Sequence, residues 1–220
     1  KLAQAAWAFP VVGAVIGVLD GLFYLAILKL GLANNISAWL TIIFHLLLTG
    51  GLHEDGLADT ADGLASGRDR EQKLAIMRDS RIGSYGVLAL IAIISLRANI
   101  IAGFENNLQT VLIFIAASTC SRSLLAVLMR SSNYARTSGL AANAGKPSHA
   151  QTLIAISLGS CSLLLIGKID AALLAIISLT IIYIIIKHIA SKNFGGITGD
   201  TLGTAQQIGE ISILLVILLF

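Results

Sequence analysis

A chain of 220 residues that is 56% hydrophobic and only 12% charged is not a soluble globular domain, which carries about twice that charged fraction. Mean hydropathy is +0.86, and the excess Ile, Leu and Ala is gathered into runs of roughly 17–25 residues, long enough to cross a bilayer core of about 30 Å. The net charge of +3 is distributed too unevenly to mark a polyanion binder, so no nucleic-acid partner is expected.

Taken in chain order, the apolar runs predict spans near Ala5–Leu28, Ile36–Leu52, Tyr85–Gly103, Leu108–Met129, Gln151–Gly167, Ala171–Ile186 and Ile208–Phe220. The expected fold is therefore all-α, a polytopic transmembrane bundle of about seven spans surrounded by membrane lipid. With two prolines and no low-complexity linker, residues 1–220 read as one integral membrane domain. Whether it self-associates is left open. The chain starts at Lys1 without a methionine and shows no cleavable signal, so part of the natural N-terminus is expected to be missing. The final run is short, and the chain is expected to continue. Cys120 and Cys161 lie inside apolar runs and read as packing residues.

Basic residues orient the bundle. The connection from Leu52 to Ser84 holds Arg68, Arg70, Lys73, Arg78 and Arg81; the next long connections add Arg130, Arg136, Lys146, Lys187 and Lys192. With Lys1 these lie on one side, whereas only Lys29 and Lys168 mark the other, which puts the long connections in the cytoplasm. The expected location is a bacterial or archaeal cytoplasmic (cell inner) membrane.

Residues 52–84 form the most charged connection, and seven of the twelve acids fall between Glu54 and Asp79. In HEDGLADTADG, from His53 to Gly63, a helix would place Asp55, Asp59 and Asp62 at i, i+4 and i+7, within about 60° of one another. Carboxylates stacked on one stripe repel, and a hard divalent cation such as Mg²⁺ removes that penalty while keeping waters and sharing substrate phosphates. A solvated acidic face is the bland alternative. Glu54 points about 100° off the stripe and is held as a further ligand. His53 reads as a proton acceptor or as an ordinary membrane-edge histidine.

In MRDSRIGSYG, Met77 to Gly86, Arg78 and Arg81 flank Asp79 at helical spacing. Two guanidiniums beside a metal site make phosphate clamps through paired, charge-assisted hydrogen bonds; alone they could simply anchor the membrane edge. Arg122 lies about two turns inside an apolar run, where an ionisable group is expensive and functional by default, unless it pairs with a carboxylate such as Asp20. Arg97 raises the same question. The GGITGDTLG segment, Gly195 to Gly203, reads as a loop whose amides and hydroxyls, from Thr198 and Thr201, hold phosphate oxygens while Asp200 faces a metal. It lacks the Gly-Lys-Ser/Thr ending of a P-loop. Glu210, at the start of the last run, reads as paired or as metal-side.

The strings GGLHEDGLADTADG (Gly50–Gly63), MRDSRIGSYG, NYAR (Asn133–Arg136) followed by Gly139 and Leu140, and GGITGDTLG together resemble, in that order, the cobalamin synthase family of adenosylcobinamide-GDP ribazoletransferases. Phe9–Gly17, FPVVGAVIG, is similar to that family's first span. The resemblance covers essentially the whole chain, with Asn133 standing where the family carries proline. It implies a Mg²⁺-dependent enzyme that joins adenosylcobinamide-GDP to α-ribazole or its 5′-phosphate and releases GMP. It further implies that Asp55, Asp59, Asp62, Asp200 and Glu54 are metal-side residues. Arg78, Arg81, Arg122, Arg136, Thr198 and Thr201 would contact substrate, Asp79 would orient an arginine or complete the metal shell, and a carboxylate or His53 would take the hydroxyl proton.

Two rivals fit less well. A CDP-alcohol phosphotransferase also places aspartates on membrane helices, but its spacing does not match residues 55–69. A cation transporter would line a path with Asp20, Arg97, Arg122 and Glu210, and polar residues would then run through several spans rather than collect at one end.

Overall fold

The computed structural model describes residues 2–137 and 143–220; Lys1 and the Gly139–Leu140 pair lie outside the described residues. A 3₁₀ segment, Leu2–Ala8, leads into α1 (Phe9–Lys29). There follow α2 (Asn34–Thr49), α3 (Leu52–Ser66), a short α4 (Arg70–Ile76), α5 (Ser84–Ala102), α6 (Leu108–Ser131), α7 (His149–Leu163), α8 (Ile169–Phe194) and α9 (Gly199–Leu218). Among the described residues the only β pairing is an isolated bridge between Tyr134 and Ile197. The chain is an all-α membrane bundle, as its composition predicts.

Among the described residues, six helices are long and apolar enough to cross a bilayer. The second crossing departs from expectation. The predicted span Ile36–Leu52 breaks at Gly50 and Gly51, which take left-handed φ values of +68° and +65°, a conformation glycine adopts without steric penalty. There α2 and α3 meet at 92°. Asn34, opening α2, donates to the Ala102 carbonyl at the end of α5 (3.2 Å), while Asp62 on α3 reaches the start of α5. The bent pair therefore begins where α5 ends and finishes where α5 begins, making one crossing of two pieces. The acidic segment is not a free connection; its helix is built into the bundle between α5 and α9.

The last two spans also differ. Helix α8 runs on to Phe194, carrying Lys187 and Lys192 on its own final turns, so these charges extend a helix that the sequence reading ended at Ile186. Helix α9 starts at Gly199, well before the expected Ile208. Thr198 and Thr201 form a reciprocal capping box (3.1 and 2.9 Å) that satisfies amides at its first turn, so half of the glycine-rich stretch is helix rather than loop. Gly203 serves packing: a Cβ there would lie 3.1 Å from His53 Cα of α3.

Two helices form the centre. The apolar windows of α6 and α9 are 83% and 72% buried, against at most 39% for the other four candidate spans. Helix α1 lies on α6 through Gly13, Gly17 and Gly21, a small-residue stripe that lets the two backbones touch. A Cβ at Gly17 would stand 2.5 Å from the Phe114 carbonyl oxygen. Gly17→Ala is therefore expected to force the helices apart and to destabilise the protein by about 1–3 kcal/mol. Thermal unfolding in detergent measures this, and an unchanged midpoint would contradict the close approach.

The three long connections meet at one end. Arg70 donates to the Ala135 carbonyl (2.9 Å), Arg136 to the Leu74 carbonyl (3.0 Å) and Lys73 to Asn193 Oδ1 (2.6 Å). The Tyr134–Ile197 bridge ties the second connection to the third through Ala135 N–H to Ile197 O (2.9 Å) and Ile197 N–H to Asn133 O (2.8 Å).

Candidate active site

The carboxylates of α3 are divided between three surroundings. Asp55 and Asp59 face the end where the connections meet. Opposite them stands Asp200, in the first turn of α9, brought close because Gly56 lies directly on the Asp200 backbone; a Cβ there would come within 2.9 Å. Asp55, Asp200 and Asp62 all act electrostatically on Asp59, as does the Arg136 guanidinium. Arg136 Nη1 is 3.9 Å from Asp200 Oδ2, and that oxygen is buried with no hydrogen-bond partner among the described residues. Arg78 is exposed at the rim and close enough to act on Arg136.

Asp62 is placed differently. It is buried, and its two oxygens accept from Gly83 N–H (2.7 Å) and Gly86 N–H (2.9 Å), so it caps the start of α5. A side chain on Gly83 or Gly86 would collide with that carboxylate, which explains the two glycines of RIGSYG. Asp62→Ala is expected to cost about 1–2 kcal/mol of stability, with Asp62→Asn losing less because one acceptor oxygen remains; paired thermal melts read the difference.

Asp79 and Arg81 are surface partners. Arg81 Nη2 lies 2.6 Å from Asp79 Oδ2 with the arginine 87% exposed, and these hydrogen bonds hold the Asp79 carboxyl down at about 2. The hydroxyls of Thr198 and Thr201 are engaged in capping α9, although Thr198 also lines the cavity described next.

A cavity of about 650 Å³ opens between α1, the α2–α3 bend, α6 and the start of α9. Its mouth carries Asp55, Asp200 and Arg136, and its floor His53 and Arg122. Apolar side chains from α1, α2 and α6 make the walls.

Behind the floor lies a buried polar network. Glu54, turned inward by its offset from the aspartate stripe, is 3.5 Å from Arg97 Nη1 and accepts from Gln207 Nε2 (3.0 Å). Arg97 Nη2 reaches Glu210 Oε1 at 3.3 Å, and Glu210 Oε2 pairs with Arg122 Nη1 at 3.2 Å. Asp20 is 2.6 Å from His45 Nδ1, whose other nitrogen lies 4.0 Å from Glu54. Arg122 is thus paired with Glu210 and not with Asp20, and polar groups do run through six helices instead of collecting only at one end. His45, Gln206 and Gln207 were not singled out from sequence. The available signal was a single polar side chain inside a membrane run, which by itself calls for a partner.

Among the described residues, no three His, Cys, Asp or Glu side chains converge closely enough to enclose a metal by themselves. Asp55, Asp59 and Asp200 supply an open, oxygen-only face, and the partnerless Asp200 Oδ2 is a donor of the kind a hard cation takes.

The cobalamin-5-phosphate synthase family model matches residues 1–218. The chain belongs to that family. It is accordingly an enzyme, a transferase of cobalamin biosynthesis. Similar proteins named adenosylcobinamide-GDP ribazoletransferase occur in Bradyrhizobium diazoefficiens, 44% identical over 98% of this chain and 83% of the relative, and in Mesorhizobium japonicum, 39% identical over the same shares. One from Shewanella piezotolerans is 40% identical over 100% of this chain and 86% of its own length. No solved structure matches. Set on the family's fold, the open carboxylate face and the cavity beside it form the candidate active site.

Proposed function

We propose that this chain transfers the adenosylcobinamide-phosphoryl group of adenosylcobinamide-GDP to a hydroxyl of α-ribazole or its 5′-phosphate, with release of GMP and dependence on Mg²⁺. The observation that carries the reading is the meeting of Asp55, Asp200 and Arg136 at the mouth of one cavity, with Asp59 electrostatically coupled to all three, in a member of this family. The ribose hydroxyl oxygen forms a bond to the phosphorus nearer cobinamide, the bond to the bridging oxygen breaks, and GMP leaves with that oxygen. Asp55, Asp59 and Asp200 would hold Mg²⁺, whose chemistry is to neutralise the diphosphate and polarise its phosphorus. Arg136 and, from the rim, Arg78 balance the remaining negative charge through positioning and electrostatics, the main resources of phosphoryl transfer. The hydroxyl proton passes to a mouth carboxylate or to His53. Asp62 contributes by fixing the start of α5 and Glu54 by anchoring the buried network.

The basic end faces the cytoplasm by the distribution of Lys and Arg, so the site opens toward water-soluble substrates. A transporter reading would draw on the mid-membrane network, but its main charges are paired there, and the family is one of transferases. Purified protein in detergent, given adenosylcobinamide-GDP, α-ribazole and Mg²⁺, is expected to release GMP only when both substrates are present, and EDTA is expected to abolish it. GMP release that persists in EDTA would remove the metal from the mechanism, and none under any condition would remove the reaction.

A further inference from the structure

The cavity has a chemistry of its own beyond the carboxylates at its mouth. Phe9, Val12 and Ile16 of α1, Leu48 of α2, and Leu125 and Met129 of α6 give it apolar walls. At its floor Arg122 is held through Nη1 by Glu210 and by the Ser118 carbonyl (3.0 Å), while its Nη2 is buried and has no hydrogen-bond partner among the described residues. A pocket near 650 Å³ is of the size that encloses a nucleoside-sized ligand. The two proposed substrates differ in the feature that matters. The donor carries a corrinoid with its axial adenosyl group, too bulky for this space and amide-fringed. The acceptor is a ribose bearing a flat, apolar, bicyclic base with one ring nitrogen free to accept a hydrogen bond.

Resting on the transferase reading above, we propose that this cavity is the acceptor pocket. The bicyclic base of the ribazole inserts into the cleft walled by α1, α2 and α6, with its ring nitrogen toward Arg122. Its ribose is left at the mouth beside Asp55 and Asp200, while the donor presents only its diphosphate end from outside. The membrane-embedded position of the enzyme then has a use: the walls of the pocket are the lower halves of spanning helices, which keep water from the base.

The test uses purified full-length protein and two substitutions on the rim, Val12→Trp and Leu48→Trp, at wall positions that are substantially exposed and not part of the packed core. Each fills part of the cavity. KM for α-ribazole is expected to rise about tenfold or more, the scale of excluding a hydrocarbon-sized group, while KM for adenosylcobinamide-GDP stays within about twofold. Unsubstituted benzimidazole, added to the unmodified enzyme, is expected to compete with α-ribazole and not with the donor. A donor KM that rises with an unchanged acceptor KM, or benzimidazole that competes with the donor, overturns the assignment. So does an acceptor KM unchanged in both variants, which would leave the cavity to membrane lipid. If the unmodified enzyme releases no GMP, the transferase reading fails first and takes the pocket with it. Should either variant fail to fold, the smaller replacements Val12→Phe and Leu48→Phe carry the same expectation for the acceptor KM and decide in its place.

Discussion

Asp59→Asn is expected to reduce GMP release about 10²-fold or more while leaving the thermal unfolding midpoint at or slightly above that of the unmodified protein. Asp59 is partly exposed and stands among Asp55, Asp62 and Asp200, with the Arg136 guanidinium opposing them. Such crowding is unfavourable in the protein alone and becomes favourable when a divalent ion lies among the carboxylates. The amide preserves shape but removes the charge that draws the ion, so the loss falls on turnover and not on folding. Because Asp55 and Asp200 remain, raising Mg²⁺ should recover part of the rate. The combined Asp59→Asn/Asp200→Asn protein should not respond. Near-full turnover of Asp59→Asn at ordinary Mg²⁺ would show that these aspartates are not the metal's ligands.

The bundle was legible in the sequence because membrane crossing is a constraint of length and hydropathy, and both are local. What was not legible depended on backbone conformation or on distant partners. Gly50 and Gly51 fall inside the span predicted for Ile36–Leu52; only their paired left-handed dihedrals show that the span turns through 92° there and continues as α3. The start of α9 was hidden for the opposite reason. Glycines in GGITGDTLG suggest a loop, yet the capping box at Thr198 and Thr201 and the close packing of α3 on Gly203 favour helix from Gly199 onward.

The aspartate stripe was visible as i, i+4, i+7 spacing, and Glu54 was visible as a side chain off it. Periodicity gives the direction of each residue but not what meets it. Asp62 points with the stripe and finds two amides of α5, 21 and 24 residues away, whereas Glu54 points elsewhere and finds Arg97 and Gln207. Asp200 joins Asp55 and Asp59 from the far end of the chain, a convergence that no local pattern contains.

The second large effect is expected on stability. Arg97→Met should destabilise the protein by about 3–5 kcal/mol, the magnitude for removing one member of a buried ion pair. Arg97 is one of two guanidiniums set among three buried carboxylates, and it alone touches both Glu54 and Glu210, at 3.5 and 3.3 Å with all three side chains at most 7% exposed. Its removal leaves Glu210 paired with Arg122 and accepting from the Gln206 amide, but leaves Glu54, among the described residues, with only the Gln207 amide and a histidine 4.0 Å away. The damage is therefore concentrated on Glu54, and Arg97→Met/Glu54→Gln should regain a substantial part of the loss, since a neutral amide needs no counter-charge at that depth. Glu210→Gln, which takes from Arg122 the carboxylate it pairs with and from Arg97 one of its two, should be harmed at least as much as Arg97→Met and should not be rescued by Glu54→Gln. Thermal melts of the four proteins in detergent separate the possibilities. Equal destabilisation in the double and single Arg97 variants would mean that the arginine acts through packing and not through its charge, and the network would then be a consequence of the bundle's assembly rather than a cause of it.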